Sequence, residues 1–279
     1  MTHIEQPGKC YAKCEGLGSL GQFDLSVCIV SHESRSDLPA CLESVYDQVG
    51  KLAVEVILVD NASTDGSAAF VAAAFPQVRL VVNSNRRGFA ANLNHALRLS
   101  QGHYILSLNP DTVLLQGALE TLVTFMDVTP DAAVAGCKAF YPDGRLQYTC
   151  REFPSVATIL WRWLHLDQVY LPHFYRRFLL QDWPHDEVRQ VDWVLGACMI
   201  LRREPIFEIG LFDEAFYMYY EDIDVCYRFK QHGFAVYFVP DAQIIHKYHR
   251  SSARGFNRLT IEHIKSIVRY FRKHGIRII

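Results

Sequence analysis

An apolar run of strand length at residues 103–108 stops abruptly at Asn109-Pro110-Asp111. Pro110 cannot donate to a sheet ladder, and it biases Asn109 towards an extended backbone. The strand ends here and leaves Asp111 at its carboxyl end. In an open α/β sheet, ligands sit in the crevice beyond such ends. A carboxylate there is well placed to hold a hard divalent cation, and the cation can hold a diphosphate. The competing reading is an aspartate in an ordinary strand-to-helix turn, where Asn, Pro and Asp are favoured anyway.

What precedes this stop repeats one pattern three times. Residues 25–31 form a buried strand by length and β-branching, and 37–49 carry Leu38, Cys41, Leu42 and Val45 at helical spacing. A strand at 54–60 runs into a helix at 65–75, and a short strand at 78–82 leads through the loop 83–88 into a helix at 89–100. Three β-α units feeding a fourth strand predict a parallel, right-handed sheet covered by helices on both faces. Beyond it the pattern predicts a helix at 116–128, a strand at 132–140 and a turn at Tyr141-Pro-Asp-Gly-Arg145 that closes a hairpin. Residues 153–188 mix Trp, Phe, Arg and Pro and read as an irregular helical insertion. Strand-like 191–201 contains Gly196, where side-chain space is expected to be scarce. A short helix at 204–209, a helix at 221–232, a strand at 234–239 and a basic helix at 258–273 complete the chain.

Half of the 279 residues are hydrophobic, enough for one large domain. We expect an arm at 1–23 and one domain at 24–279. Within it, 24–115 form a nucleotide-binding half, 116–252 an acceptor and catalytic half, and 253–279 a basic C-terminal helix. A charged fraction of 21% and a net charge of −2 argue against disorder and against a dedicated nucleic-acid binder. Eight cysteines are thinly spread, several in strand-like runs (Cys28, Cys137, Cys198), as expected of buried thiols in a reducing compartment. Cys10 and Cys14 have no second Cys or His pair at zinc-site spacing. No run reaches the roughly 18 apolar residues of a membrane span, and the first residues lack a signal-peptide core. The expectation is a cytoplasmic protein whose membrane contact, if any, is peripheral.

Four clusters carry chemistry. In Asp60-Asn-Ala-Ser-Thr-Asp-Gly-Ser67, Asp60 can accept from an N–H of a planar base, and Asn61 can pair with base or ribose. Ser31 ends the neighbouring strand. The same residues also suit caps and turns, Asp65 and Ser67 above all. In Asn85-Arg-Arg-Gly-Phe-Ala-Ala-Asn92, Gly88 permits close backbone approach, and the following helix N-terminus favours a diphosphate or is simply capped. Phe212-Asp-Glu-Ala-Phe-Tyr-Met-Tyr-Tyr-Glu-Asp-Ile-Asp224 is the densest acidic-aromatic stretch. Glu221 and Asp222 fall at a helix start, which the dipole favours. Burial among tyrosines raises a carboxylate towards values useful in a general base, so Asp222 is the candidate base and Glu221 its neighbour. Asp224 cannot share their face. His246 ends an apolar run, a common place for a packed histidine, but a neutral imidazole can also complete a metal site begun by a carboxylate.

Taken in order, these motifs resemble those of the family-2 inverting glycosyltransferases of the GT-A fold, in particular their rhamnosyltransferase-like branch. The matching residues are the run ending at Ser67, Asn85 with Gly88-Phe-Ala-Ala-Asn92, Asn109-Pro-Asp111, Gly196-Ala-Cys-Met, Phe212-Asp-Glu, Tyr220-Glu-Asp-Ile-Asp224, and His246 followed by Ser251. The resemblance implies a Rossmann-like, mostly parallel sheet with helices on both faces, a small antiparallel acceptor-side region and a helical insertion. It implies a nucleotide-sugar site at Ser31, Asp60, Asn61, Asn85, Gly88 and Asn109. It further implies Mg2+ or Mn2+ on Asp111 and His246, and Asp222 as the base, assisted by Glu221. Two positions depart from the family. Asn109 replaces the first acid of the metal motif and would touch ribose instead, and His32-Glu33 replaces the usual Tyr-Asn after the first strand. The implied donor is dTDP-rhamnose, with UDP sugars as the alternative, and the implied acceptor is a saccharide or polyprenyl-diphosphate-linked precursor of a bacterial polysaccharide. From Lys247 onwards nine Lys or Arg face one acid, Glu262, so the tail fits either an anionic membrane surface or plain solvent. A nucleotidyltransferase would want a glycine-rich signature after the first strand, which Ser31-His-Glu-Ser-Arg35 lacks. A non-catalytic sugar-binding protein would have no need of Asp111, Asp222 and His246 together.

Overall fold

The computed structural model describes residues 22–248 and 258–278. The expected arm at 1–23 lies outside them except for its last two residues, as do Cys10, Cys14, Ser251 and Ser252. The first strand, β1 (Phe23–Ser31), begins inside the range expected for the arm. It is followed by α1 (Leu38–Tyr46), β2 (Val54–Asp60), α2 (Ser67–Ala74), β3 (Arg79–Val82), α3 (Phe89–Leu99) and β4 (Gly102–Leu108). These four strands pair in parallel in the order β3-β2-β1-β4, as alternating strands and helices require. Pro110 stops β4 where expected, and the short β5 (Thr112–Leu114) restarts directly after it.

The second half extends the same sheet. It contains α4 (Ala118–Val128), β6 (Ala132–Phe140), β7 (Leu146–Gln147), β8 (Cys150–Arg151), α5 (Val156–Trp163), a 3-10 turn at Leu166–Gln168, and α6 (His173–Phe178). Then come β9 (Arg189–Gln190), β10 (Trp193–Val194), β11 (Cys198–Arg202), α7 (Arg203–Glu208), α8 (Glu221–Gln231), β12 (Ala235–His246) and α9 (Arg258–His274). From β4 the sheet continues β11-β6-β12-β5, with β7 on β6 and β9 on β12. β11 is antiparallel to both of its neighbours, and β8 with β10 forms a separate antiparallel pair. Apolar side chains fill both faces. Leu42 of α1, Val71 of α2 and Leu122 of α4 pack on one face. Leu93 of α3, Ile206 of α7, Phe229 of α8 and Tyr270 of α9 pack on the other.

Two strands differ from the sequence expectation, both near the site. The expected strand at 191–201 is two strands with a break at residues 195–197. There the Leu195 N–H turns away to the Thr149 carbonyl at 2.7 Å, and the Gly196 N–H turns to a side chain. Conversely, the expected strand at 234–239 and the apolar run before His246 are one strand. β12 passes Pro240 and Asp241 by shifting register against β6 between Val239 and Gln243, as a proline in a sheet requires.

Candidate active site

The parallel register sets Ser31 beside Asp60 at the carboxyl ends of β1 and β2. Asp60 is fully buried, and its Oδ2 accepts the Ser63 N–H at 3.0 Å. Its Oδ1 and the Ser31 Oγ are buried without a protein partner. Buried polar atoms are almost always satisfied, so two neighbouring orphans at the crevice mark a place for a polar ligand. The departures at His32-Glu33 lace the crevice rim together. His32 Nδ1 lies 2.9 Å from the Asn61 carbonyl, and Glu33 Oε1 accepts from the Thr64 N–H at 2.7 Å.

Of three residues expected at the nucleotide, two meet backbone and one bonds a neighbouring side chain. The Asn61 Nδ2 donates to the Arg87 carbonyl at 2.9 Å, and its Oδ1 accepts the Arg87 N–H at 2.8 Å. Gly88 does permit close approach, but of protein. A Cβ there would lie 3.0 Å from the Tyr217 carbonyl oxygen, and the Phe89 N–H at the start of α3 donates to that carbonyl at 2.7 Å. The helix terminus that was open to a diphosphate therefore receives a backbone carbonyl. Asn85 is exposed and bonds Ser84 Oγ at 3.3 Å. Asn94, which the sequence left unremarked, grips the Phe212 backbone on both sides at 2.8 and 3.0 Å. The Phe212-Asp-Glu motif is thus a docking point for α3, with Glu214 paired to Asn94 and Arg98.

Antiparallel pairing of β5 with β12 sets Thr112 opposite His246, and the Lys247 N–H closes the ladder on the Asp111 carbonyl. This brings His246 Nε2 to 3.4 Å from Asp111 Oδ1. Gln147 Oε1 lies 2.6 Å from His246 Nδ1. An amide oxygen can only accept, so Nδ1 carries the hydrogen and the Nε2 lone pair faces Asp111 when the ring is neutral. Sequence reasoning missed Gln147. A polar residue just past a hairpin turn gives no signal until the sheet carries it to β12.

Asp222 lies at the second position of α8. Its Oδ2 accepts the Gly196 N–H at 3.1 Å, and its Oδ1 accepts the Ile223 N–H at 2.9 Å. Burial pushes its pKa up, with the two N–H donors opposing that rise. Glu221 goes further. Burial and the neighbouring Asp222 charge push it well above the usual carboxylate range, and its Oε2 is buried without a partner. Gly196 is not crowded as expected, since an added Cβ would meet the Asp222 Cβ at an ordinary 3.5 Å. Its contribution is the N–H freed by the strand break. The next residue, Ala197, accepts the Asn109 N–H at 2.9 Å. One peptide step thus joins the residue holding Asp222 to the residue holding the Asn109-Pro-Asp turn.

The approach to α8 is strained. Tyr219 and Tyr220 adopt left-handed backbone, with φ of 66° and 68°, at a cost of roughly 1–3 kcal/mol each. α9 secures them. His263 packs on Tyr219 with ring centres 4.8 Å apart, and Ser266 Oγ donates to the Met218 carbonyl at 3.0 Å. Below, Asp224 is fully buried and faces away from Asp222, as helical spacing requires. It takes Arg228 Nε at 2.8 Å, His274 Nε2 at 2.7 Å and Lys273 Nζ at 2.8 Å. Burial pushes Asp224 up, but the bonds from His274, Lys273 and Arg228 outweigh it and hold it below its ordinary value.

The profile of Glycosyl transferase family 2 matches residues 26–193, the stretch that carries the crevice from Ser31 to Gln147. The chain belongs to that family. Among curated relatives, the N-acetylglucosaminyl-diphospho-decaprenol L-rhamnosyltransferase of Mycobacterium tuberculosis is 27% identical over 214 residues, 72% of this chain and 69% of the relative. The rhamnosyltransferase WbbL of Escherichia coli K12 is 27% identical over 199 residues, 68% of this chain and 72% of the relative. Among solved structures, the mannosyltransferase PcManGT from Pyrobaculum calidifontis, in complex with GDP-Man and Mn2+, superposes with a TM-score of 0.61 at 20% identity, over 91% of this chain and 64% of that one. This chain therefore spans less than two thirds of that neighbour. The fold of this family-2 chain is GT-A.

Among the described residues no cluster of three metal-ligating side chains occurs. The Asp111–His246 pair still fits a hard divalent ion, because Mg2+ keeps several waters and is usually held by only one or two carboxylates together with substrate phosphates. The inward-facing Nε2 lone pair, fixed by Gln147, is the arrangement that a ligating histidine needs.

Proposed function

We propose that the protein is a metal-dependent inverting glycosyltransferase. It moves a sugar, rhamnose from dTDP-rhamnose in the first instance, to a hydroxyl of a cell-surface polysaccharide or its polyprenyl-diphosphate-linked precursor, working at the cytoplasmic face of the membrane. The observation that carries this reading is the bridge through Gly196 and Ala197. It ties Asp222, a carboxylate raised by burial and held by two N–H donors, to the turn that carries Asp111, the partner of His246.

Asp60 Oδ1 and Ser31 Oγ take the hydrogen-bonding edge of the base, and Asn109 lies where the ribose passes. Asp111 and His246 would hold Mg2+ or Mn2+, which would supply positive charge to offset that of the departing nucleoside diphosphate. Asp222 removes the proton from the acceptor hydroxyl. That oxygen attacks the anomeric carbon from the side opposite the diphosphate, so configuration inverts and no covalent glycosyl-enzyme forms. The raised pKa of Asp222 makes it a stronger base once it is ionised. Glu221, with one orphaned oxygen, positions Asp222 or meets the acceptor.

The sugar in the names of the two curated relatives favours rhamnose, and UDP sugars are the alternative donors. The test is transfer from dTDP-rhamnose, UDP-glucose and UDP-N-acetylglucosamine to lipid-linked N-acetylglucosamine with Mn2+ present, reading the anomeric configuration of the product. An inverted product from one donor is expected. Retention of configuration, or no nucleotide binding with any donor, would overturn the reading.

A further inference from the structure

Among the described residues, nine of the twelve exposed large apolar side chains fall in two short stretches. Leu160 and Trp163 lie on α5 and Leu164 caps its end, at helical spacing, with Val169 and Tyr170 just beyond. Ile261 and Val268 lie on α9, with Ile276 and Ile278 after it. Leu164 is 66% exposed, Val169 85% and Ile276 73%. The two stretches are adjacent. The Val156 N–H donates to the Arg277 carbonyl at 2.8 Å and the Ala157 N–H to the Ile278 carbonyl at 3.2 Å. At the other end Trp163 meets His263 with ring centres 6.5 Å apart. α5 and α9 therefore run side by side and antiparallel. Trp161 Nε1 donates to the Tyr170 carbonyl at 3.1 Å, which ties the following loop to α5.

Soluble monomers rarely leave apolar side chains concentrated in this way unless the surface binds something. Charge identifies the partner class. Arg258, Lys265, Arg269 and Arg272 are exposed along the outer side of α9. The one acid from 258 to 278 is Glu262, which pairs with Lys265 at 2.8 Å. Lys273 and His274 are turned inward to Asp224, so the outward charge is carried by a stripe that also bears Ile261 and Val268. Interleaved cations and aliphatic side chains, with Trp163 and Tyr170 at the margin, match the layered chemistry of an anionic bilayer surface. No helix among the described residues is long and apolar enough to cross a membrane.

We infer that the paired outer stripes of α5 and α9 form a docking face for an anionic phospholipid surface. This extends the proposed function by naming the face, and its readout needs no sugar transfer, so failure of one leaves the other standing. The face lies one aromatic layer from the site. Trp163 meets the His263 ring, which packs on Tyr219 and Tyr220, the two residues before Glu221 and Asp222. An acceptor anchored in the same surface would meet the base without leaving it.

The test is co-sedimentation of the full chain with vesicles of phosphatidylcholine alone, or mixed with phosphatidylglycerol, across a salt titration. The wild type should bind the mixed vesicles, lose them as salt rises, and bind neutral vesicles weakly. Arg269→Ala with Arg272→Ala should weaken binding to mixed vesicles by about 30-fold, taking about 1 kcal/mol for each cation. Leu160→Glu with Leu164→Glu should weaken binding to both vesicle types. If that pair fails to fold, the arginine pair on the solvent side and the salt titration still decide. Absence of wild-type binding, or binding unchanged in the arginine pair, overturns the inference. So does a dimer in sedimentation velocity that Leu160→Glu with Leu164→Glu dissolves while vesicle binding is lacking, since that makes the face an interface between copies.

Discussion

The two halves of the sheet reach the crevice by different means. From β1 to β4 every strand is parallel, each ends in a turn, and Ser31, Asp60, Asn109 and Asp111 lie where strand ends put them. From β6 onwards Asp222, the proposed base, depends on a broken strand at 195–197, two consecutive left-handed tyrosines and a helix that arrives late in the chain. A regular scaffold can hold a common part of a donor by strand ends alone. Setting a base at one angle to it needs irregular backbone, held at the strand break by Thr149, Asn109 and Asp222 and at the tyrosines by α9.

If this division of labour is right, lesions in the second half remove chemistry and spare nucleotide binding. Asp222→Asn has the largest expected effect, a loss of about 10²- to 10⁴-fold in kcat with dTDP binding kept. Single-turnover transfer rates measure it, and a variant that retains most of its rate removes Asp222 from the role of base. Burial raises the Asp222 pKa, so the acid limb of kcat/KM should lie above the ordinary aspartate value of about 3.9, with activity falling as pH drops through it.

Asp224→Asn strikes the same half through stability. Arg228, Lys273 and the His274 ring converge on that carboxylate, and removing one partner of a buried pair costs about 3–5 kcal/mol. Its folded pKa is depressed, so its stabilisation is present above the unfolded value and is lost as pH falls through the lower folded one. Thermal melts should show wild type losing its advantage over the variant only in strong acid. An equal gap at every pH would mean that the carboxylate charge is not what α9 uses.

Much of the first half was legible from sequence because its signals are local. Pro110 ends a strand wherever that strand lies in the sheet, and the spacing of Leu38, Cys41, Leu42 and Val45 shows a helix face before the fold is known. Gln147, Gly196 and Asn94 were not legible as they act. Each works through a partner brought close only by pairing: β6 with β7 and β12 for Gln147, the broken strand before β11 for Gly196, and α3 against the 212–214 loop for Asn94. The motif residues Asn61 and Gly88 were visible, but their task was not. A glycine that admits a diphosphate and one that admits Tyr217 look the same in a sequence. The basic tail was half legible, since nothing local shows that Lys273 and His274 turn inward while Arg269 and Arg272 stay out.

Smaller lesions sharpen the contrast. Gln147→Leu should free the His246 ring and cost about 10- to 100-fold in Mn2+ affinity, as loss of a partner behind a ligating histidine does. Unchanged Mn2+ dependence of transfer would take His246 out of the metal site. Ser266→Ala removes one hydrogen bond that pins the strained loop, and should lower stability by about 1 kcal/mol. The loss should show in kcat before KM, because Met218 leads into Asp222 and not to the nucleotide.

The most direct measurement is calorimetric titration of dTDP, with and without Mn2+, into wild type, Asp111→Asn and Asp222→Asn. A crevice divided between a metal-and-nucleotide side and a base side requires Mn2+-dependent binding in wild type, its loss in Asp111→Asn, and wild-type affinity in Asp222→Asn. Mn2+-dependent binding that survives in Asp111→Asn, or vanishes equally in Asp222→Asn, would contradict that division.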